Sequence, residues 1–180
     1  EAGITIGFNA PKFLNDHMID FLIPKDYRIR PILGSYIRHY PTKHFYLEYG
    51  LSFSGEGGAY SKRKTKLNYL RNQFSFGYTA VPYRKNVFYF GGTYNVNVLL
   101  NAKSKDDLNH TSENIGEYFR QFYQGVGIAI GLKKQINQSD YVRFDLSTQL
   151  YSSNLNVAEF HKSRQLLLPS MQLGYSRILK

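Results

Sequence analysis

Two carboxylates and two arginines lie at alternating positions in segments that otherwise read as β-strands. These residues are Glu48, Arg71, Arg143 and Asp145. Paired carboxylates can act as general acid and base, but ion-pair networks perturb carboxylates in the same way without any catalysis. Burying such charges unpaired would cost several kcal/mol each, which favours a mutual network. We therefore predict a structural charge cluster and no catalytic site.

A run of basic residues is the second feature that could have a chemical function. SKRKTK, residues 61–66, places four cations within six residues, namely Lys62, Arg63, Lys64 and Lys66. Such a run can bind lipid phosphates or an acidic partner, or it can be a solvated loop, and the sequence leaves these open. Nucleic acid is disfavoured, because neither a basic helix nor an aromatic RNA-binding motif accompanies the charge.

Composition argues against metal and thiol chemistry. The chain has no Cys, and its five His are scattered without the spacing of metal ligands. A glycine-rich loop of the phosphate-cradling type is also missing. We expect no metal, no cofactor and no catalytic residue.

The elements that must position these charges are indicated by a period of two. In NVFYFGGTYNVNVLLNAK, residues 86–103, one face carries Phe88 and Phe90 while the other carries Asn95 and Asn97. The same alternation, in a chain with 16 Tyr and 13 Phe, predicts strands and not helices. The predicted strands are 3–8, 30–40, 44–54, 69–80, 86–103, 119–133, 141–151 and 166–178. The facing of 30–40 is left open.

The connections between these eight strands alternate in length. The short ones are Pro41–His44, Pro82–Asn86 and about 134–139, and the long polar ones are about 9–29, 55–68, 101–118 and 152–165. All short turns then fall at one end of an up-and-down barrel, together with both termini. This layout is typical of an outer-membrane barrel with short periplasmic turns and longer extracellular loops.

Whether water or lipid surrounds the barrel depends on which face of the strands can fill its interior. Eight strands enclose an interior that side chains can just fill. The less apolar face makes a poor oily core but a credible polar lumen, so the apolar face must point outward, where lipid solvates it. The residues assigned to the lumen are Glu48, Arg71, Gln73, Asn95, Asn97, Arg143, Asp145 and Gln149.

Aromatic residues near the strand ends fit the two interfacial girdles of such a barrel. These are Tyr40, Phe45, Tyr69, Tyr83, Phe88, Tyr118, Phe122, Tyr141 and Tyr175. A soluble β-sandwich with an aromatic core remains an alternative. A soluble ligand-carrying barrel of lipocalin type is another, but it would want an apolar interior.

One short motif raises an enzymatic alternative. Phe160-His161-Lys162-Ser163 contains the His-x-Ser pair used by small outer-membrane lipid A deacylases, in which His is the base for a Ser nucleophile. The Asn expected after the Ser is Arg164, and a downstream acidic residue to orient the imidazole is missing. The accidental reading is favoured.

A longer stretch resembles a known family. KLNYLRNQFSFGYTAVPYRKNVFYFGGTYNVNVLLNAK, residues 66–103, resembles the central hairpin of the Bacteroidetes outer-membrane β-barrel domain family, often termed PorT-like. Gly91-Gly92 and the run Leu99–Lys103 fit, whereas the Pro expected after Tyr69-Leu70 is replaced by Asn72-Gln73. Residues 44–60 resemble the preceding strand. The resemblance implies a barrel, in a family that includes subunits of secretion and assembly machines.

Together these observations predict one domain over 1–180, an eight-stranded antiparallel transmembrane barrel in a Gram-negative outer membrane. We expect a mature chain whose signal peptide is already removed, and a lumen plugged by polar side chains. The expected partners are outer-membrane lipids, including lipopolysaccharide, and other outer-membrane proteins, with the chain as an accessory subunit of a larger complex. The functional alternatives are a small pore or transporter and the lipid A-modifying enzyme.

Overall fold

Apolar and polar side chains alternate along eight segments, and these segments form long strands. The chain also has three very short strands. The computed structural model describes residues 1–10, 12–13, 26–27, 29–60, 63–80, 85–106, 111–116, 121–154 and 163–179. The long strands are β1 (Ala2–Asn9), β4 (Arg30–His39), β5 (Phe45–Tyr60), β6 (Arg63–Ala80), β7 (Asn86–Asp106), β9 (Phe122–Gln135), β10 (Asp140–Asn154) and β11 (Ser163–Arg177). The short strands are β2 (Lys12–Phe13), β3 (Asp26–Tyr27) and β8 (Thr111–Asn114).

The eight long strands form a closed antiparallel barrel. Each pairs with the next long strand in the chain, and β1 pairs with β11, as in the partners Ile4 and Tyr175, so the sheet has no open long edge. Closure leaves no row of unpaired backbone amides along an edge, which lipid could not satisfy. In the part of the chain described, no helix is long and apolar enough to cross a membrane.

The apolar side chains point outward and the polar ones inward. Phe76 is 63% exposed and Ile128 64%, whereas Arg71 is 1% exposed and Asp145 5%. On β6 the outward positions from Leu70 to Ala80, apolar or aromatic except for Asn72, span about 33 Å along the strand. With the usual barrel tilt this makes a band about 25 Å tall, the height of the apolar belt of outer-membrane barrels. The predicted facing is confirmed.

The facing of the segment 30–40 is settled by its pairing with β1 and β5. Tyr36 and Arg38 point inward and are buried, whereas Leu33 and Ile37 point outward and are exposed. Gly34 interrupts the alternation of large side chains here. That interruption is why the sequence pattern alone left the facing open.

The predicted outer connection 55–68 is wrong, because β5 and β6 continue their pairing far beyond the apolar belt. The ladder runs on through Gly57 with Lys66 and Ala59 with Lys64 to Tyr60 with Arg63. Three of the four predicted cations, Arg63, Lys64 and Lys66, therefore lie on β6 and not in a loop, and Lys62 lies outside the described residues. Glycines weaken the strand signal in the sequence, although the backbone still pairs.

A bulge on β7 reverses the facing of that strand. Asn68 pairs with Asn101 and Tyr69 with Leu99, so Leu100 is the extra residue. Odd-numbered residues such as Asn97 face inward before the bulge, whereas Lys103 is exposed after it. An uninterrupted period of two would have placed Lys103 in the lumen, so the bulge explains why it does not lie there.

The predicted aromatic girdles are right in part. Phe45, Phe88, Phe122 and Tyr175 are exposed near strand ends. Tyr69 is wrong: it lies inside the barrel, 4% exposed. Tyr83 and Tyr118 lie outside the described residues. Tyr40 and Tyr141 are half-buried.

Candidate functional site: the lumen and the basic outer rim

Glu48 on β5 is the centre of the first charge network in the lumen. Its carboxylate accepts hydrogen bonds from Arg38 Nε at 2.8 Å and from Arg143 Nη1 at 2.7 Å. All three side chains are buried. Because two guanidiniums share one carboxylate, a second anion is needed to balance the charge.

Asp145 on β10 supplies that second anion. It accepts hydrogen bonds from Arg143 and from the Tyr89 hydroxyl. The guanidinium of Arg143 also lies over the Tyr36 ring, 4.0 Å from its centroid, and that of Arg38 lies 4.2 Å from the ring of Tyr89. We refer to Arg38, Glu48, Arg143, Asp145 and the tyrosines that contact them as the Glu48 network. Ring faces stabilise the cations where water is excluded.

A second network surrounds Arg71, nearer the end with the long hairpins. Its Nη2 donates to Glu56 at 3.1 Å and to Ser54 Oγ at 3.0 Å, and its Nε donates to Asn97 Oδ1 at 3.1 Å. The Tyr123 hydroxyl donates to the other oxygen of Glu56 at 2.7 Å. This Arg71 network is fully buried.

Side-chain amides lie between the two networks. Gln149 donates to Gln73 at 3.4 Å and accepts from the Tyr151 hydroxyl. Asn95 is fully buried, and its amide atoms have no hydrogen-bond partner among the described residues. The eight predicted lumen residues thus all lie inside the barrel, and most of them take part in one of the two networks.

An apolar and aromatic layer closes the lumen beyond the Arg71 network. Tyr123 packs edge-on against Tyr69 and Tyr151, with ring centroids 4.9 Å apart in both pairs. The buried residues of this layer are Leu67, Tyr69, Ala102, Ile115, Tyr123, Tyr151 and Leu168. It occupies the interior of the barrel near the end at which the long hairpins emerge.

Glu1 and Lys133 form an ion pair at the opposite end, where the short turns lie. Lys133 Nζ lies 2.6 Å from Glu1 Oε2 and 2.9 Å from the Tyr40 hydroxyl. Burial raises the pKa of the Glu1 carboxyl, but Lys133, Arg38 and the Ser176 hydroxyl together outweigh it and hold that pKa below its usual value. These three residues line a pocket of about 610 Å³ that opens at the turn end.

Paired charges occupy much of the lumen. Five ion pairs among the described residues join four cations, Arg38, Arg71, Lys133 and Arg143, to four carboxylates, Glu1, Glu48, Glu56 and Asp145. The void beside the Glu48 network measures about 40 Å³, room for only one or two water molecules. Around the Glu48 network, the described side chains fill the lumen.

The outer surface carries a different arrangement of charge at the hairpin end. Lys66 pairs with Lys103 and Lys64 with Lys105 across β6 and β7. We refer to these two pairs as the lysine rows. Lys66, Lys103 and Lys105 are exposed. The predicted basic cluster therefore continues onto β7, which sequence proximity alone could not show.

Neither a metal centre nor a nucleophile is assembled by the residues described. Within those ranges no group of three His, Asp or Glu could hold a metal ion. Ser163 is the first residue of β11, and His161, its predicted base, lies outside the described residues. The deacylase-like motif therefore gains no geometric support.

Four charged members of the lumen were missed by the sequence analysis, namely Glu1, Arg38, Glu56 and Lys133. Arg38 lies in the segment of uncertain facing, and Glu56 lies between Gly55 and Gly57 where the strand pattern fades. Glu56 does share parity with Glu48 along β5, so extending that strand through the glycines would have found it. The buried tyrosines, such as Tyr89, were hidden because Tyr suits either face.

Comparisons with known proteins agree with the architecture. No protein-family model matches this sequence, and no curated protein matches it. Neisserial surface protein A (NspA) superimposes with a TM-score of 0.59 at 9% identity, over 97% of this chain and 93% of that one. The outer membrane protein OprG from Pseudomonas aeruginosa gives 0.59 at 11% identity, over 98% and 94%. The chain therefore has the closed eight-stranded antiparallel fold of small outer-membrane barrels, and identities this low speak of fold alone.

Proposed function

We propose that this protein is a non-conducting barrel of a Gram-negative outer membrane, with a structural or partner-binding role as an accessory subunit of a larger outer-membrane complex. The single observation that carries the proposal is the filled lumen inside a largely apolar outer wall. A barrel whose interior is filled by its own ion pairs has only its outer wall and its two ends with which to act.

The resemblance of residues 66–103 to the PorT-like family supports the accessory role. That family includes subunits of secretion and assembly machines, and Gly91-Gly92 and the run Leu99–Lys103 carry the likeness. In this chain the same hairpin, β6 and β7, carries the bulge and the lysine rows, so it combines an apolar wall with a charged outer end.

Conductance tests the closed lumen. The purified protein, reconstituted into planar bilayers, should give no current above that of protein-free bilayers, because the void beside the Glu48 network holds only one or two waters. A porin reconstituted in parallel verifies the assay. Steady single-channel steps from this protein would overturn the closed lumen and favour a pore.

Co-purification tests the accessory role. The tagged full chain, extracted from its own outer membranes in mild detergent, should retain a protein partner in fixed stoichiometry. Extraction under harsher detergent should release that partner and leave the barrel folded. If the chain is purified with lipid alone under every mild condition, the accessory role is wrong, although the closed barrel still stands.

A further inference from the structure

Asn72 is a polar side chain on the outward, apolar face of β6. It lies between the outward residues Leu70 and Phe74 and is half-buried. Its partner on β7 is Val96, and the exposed Leu100 lies four residues further out on that strand. Asn72 is therefore about 10 Å inside the hairpin-end border of the apolar belt. Hydrocarbon at this depth offers no hydrogen-bond partner, so an open amide there costs free energy.

One end of the Asn72 amide is satisfied within the chain. The Tyr49 hydroxyl on β5 donates to Asn72 Oδ1 at 2.9 Å. The amide nitrogen has no partner among the residues that the structure describes. Turning the amide over would leave its oxygen open instead, because the Tyr49 hydroxyl can accept as well as donate. In either orientation one polar end of Asn72 faces lipid.

Tyr94 on β7 presents a second open polar group. Its side chain points outward and is 39% exposed, and no described residue forms a hydrogen bond with its hydroxyl. A hydroxyl can donate and accept, so it fits whichever end of the Asn72 amide is open. The outward faces of β6 and β7 within the apolar belt, which we term the β6–β7 wall, thus carry both halves of a hydrogen bond that they do not form with each other.

Asn72 and Tyr94 lie at nearly the same depth. The row of paired residues that contains Asn72 runs through Ile4, Ser35, Leu51, Asn72, Val96, Gln124 and Ser152. It begins two residues from the turn end of β1 and ends two residues from the hairpin end of β10, so each step between strands rises about 3 Å toward the hairpin end. Val96 is thus about 3 Å higher than Asn72, and Tyr94, two residues back along β7, is about 5 Å lower than Val96. The two open groups therefore differ in depth by only about 2 Å.

We propose that a second copy of this chain docks on the β6–β7 wall, with Asn72 of each copy hydrogen-bonded to Tyr94 of the other. Two barrels inserted in the same direction form a symmetric pair about an axis parallel to the membrane normal, which preserves depth. A reciprocal contact across that axis needs a donor and an acceptor at equal depth, and Asn72 and Tyr94 meet this condition. This inference rests on the membrane placement in the proposed function and adds a second copy as a partner of the outer wall.

Self-complementarity favours a second copy over lipid or an unrelated protein. Acyl tails satisfy neither Asn72 nor Tyr94. An unrelated subunit would have to present matching polar groups at the same depth, whereas a second copy presents them by symmetry. The neighbouring outward residues Phe74 and Val96 are apolar, so they can pack in the same contact. Packing and hydrogen bonds of this kind are what hold membrane-embedded surfaces together.

Two substitutions that keep side-chain size test the contact. Asn72→Leu removes the amide and Tyr94→Phe removes only the hydroxyl, and both leave an apolar side chain toward lipid, so the barrel should still fold. Thr148→Val is the matched control, because it removes a hydroxyl from the outward face of β10, beside the exposed Ile128 of β9. The purified full chain is studied by sedimentation equilibrium in density-matched detergent at several protein-to-detergent ratios. A gel mobility that changes on heating verifies that each variant is folded.

We expect wild type and Thr148→Val to dimerise with equal affinity. Asn72→Leu and Tyr94→Phe should each raise the dimer dissociation constant on the order of tenfold, because both reciprocal bonds are lost. The double variant should dimerise no more weakly than either single variant, since the two residues share the same bonds.

A wild type that is monomeric at every ratio, unchanged affinity in the single variants, or losses that add in the double variant would overturn the inference. If Asn72→Leu instead loses a different co-purifying protein while wild type sediments as a monomer, the β6–β7 wall is a site for that protein and the inference is wrong.

The same preparations separate this failure from a failure of the proposed function. A chain that leaves membranes in carbonate without detergent is not an integral barrel, and both proposals fall. A chain that stays in the membrane and retains another protein on mild extraction, but never dimerises, removes only the dimer inference.

Discussion

Glu48 neutralises two guanidiniums at once, which makes it the most consequential single charge in the lumen. Glu48→Gln keeps the shape but removes the carboxylate that Arg38 and Arg143 share. Breaking a buried ion pair by removing one partner costs about 3–5 kcal/mol, so the free energy of unfolding should fall by about that amount. Urea titration of the barrel folded into lipid vesicles, followed by tyrosine fluorescence, measures it.

The matched control for that change is Glu113→Gln, which removes the same charge from an exposed position on β8. It should alter the free energy of unfolding by less than about 0.5 kcal/mol. A similar loss in both variants would show that the Glu48 network contributes little beyond overall charge.

Lys103 illustrates the opposition of like charges across two neighbouring strands. Lys103→Glu turns the pair with Lys66 from repulsive to attractive, so in neutral detergent the barrel should gain about 0.2–1 kcal/mol in free energy of unfolding. Thermal unfolding in neutral detergent tests this prediction; a loss of stability would mean that Lys66 and Lys103 are already compensated within the chain.

Individual residues were predictable from sequence where the alternation was clean. Glu48, Arg143 and Asp145 were assigned to the lumen because each lies in an unbroken period of two. Arg38 was not, because its segment lacks that regularity. No local signal could predict that Glu48 contacts Arg143, since the two are 95 residues apart and are brought together only by barrel closure.

At the scale of elements, β6 and β7 approach closely because glycines face each other. Gly77 pairs with Gly91, and the Tyr46 ring lies over them. A Cβ on Gly77 would come 2.7 Å from Gly91 Cα and 2.8 Å from Tyr46 Cε1, and would also collide with the Phe90 carbonyl oxygen. The glycine pair therefore makes room for an aromatic ring inside a narrow barrel.

Gly77→Ala should consequently lower the free energy of unfolding by about 1–3 kcal/mol, the usual cost of overpacking. Gly50→Ala is the matched control, because it also faces inward but its Cβ would lie 3.6 Å from the nearest atom, the Ser35 carbonyl oxygen. Urea titration of the two variants should separate them clearly. Equal stability would show that β6 and β7 can move apart without loss.

The strand centres were predictable from sequence, but the outer ends of the hairpins were not. Periodicity ends at the glycines after Ser54, whereas the backbone ladder continues to Tyr60. The bulge at Leu100 also leaves no signal in the sequence, because an extra residue in a strand can be of the same type as its neighbours. Both features depend on pairing with a neighbour, which a single strand's pattern does not contain.

At the scale of the whole molecule, the free energy of unfolding depends on whether lipid or water surrounds the apolar belt. Ile128→Arg places a charge near the middle of the apolar band and should lower the free energy of unfolding in vesicles by about 2–4 kcal/mol. Asn101→Arg, at headgroup depth, should cost about 0–1 kcal/mol. Equal effects at the two depths would contradict a lipid-facing wall.

The fold class could be predicted because a barrel in water needs an apolar interior, whereas a barrel in lipid needs an apolar outer wall. Eight amphipathic strands with a polar inner face meet only the second requirement. The role could not be predicted to the same depth. Partner recognition depends on how outer side chains from several strands combine, and Lys66 and Lys103 are separated by 36 residues of intervening chain.

The ion pairs of the lumen have a consequence for how the molecule is assembled. Arg38 and Glu48 are direct partners across the neighbouring strands β4 and β5, but Arg143 on β10 reaches Glu48 only when opposite walls of the cylinder face each other. Before closure Arg143 has Asp145, two residues further along its own strand, as its ion-pair partner. We therefore expect the contact between Glu48 and Arg143 to form late, at the step in which β1 docks on β11 and the cylinder closes.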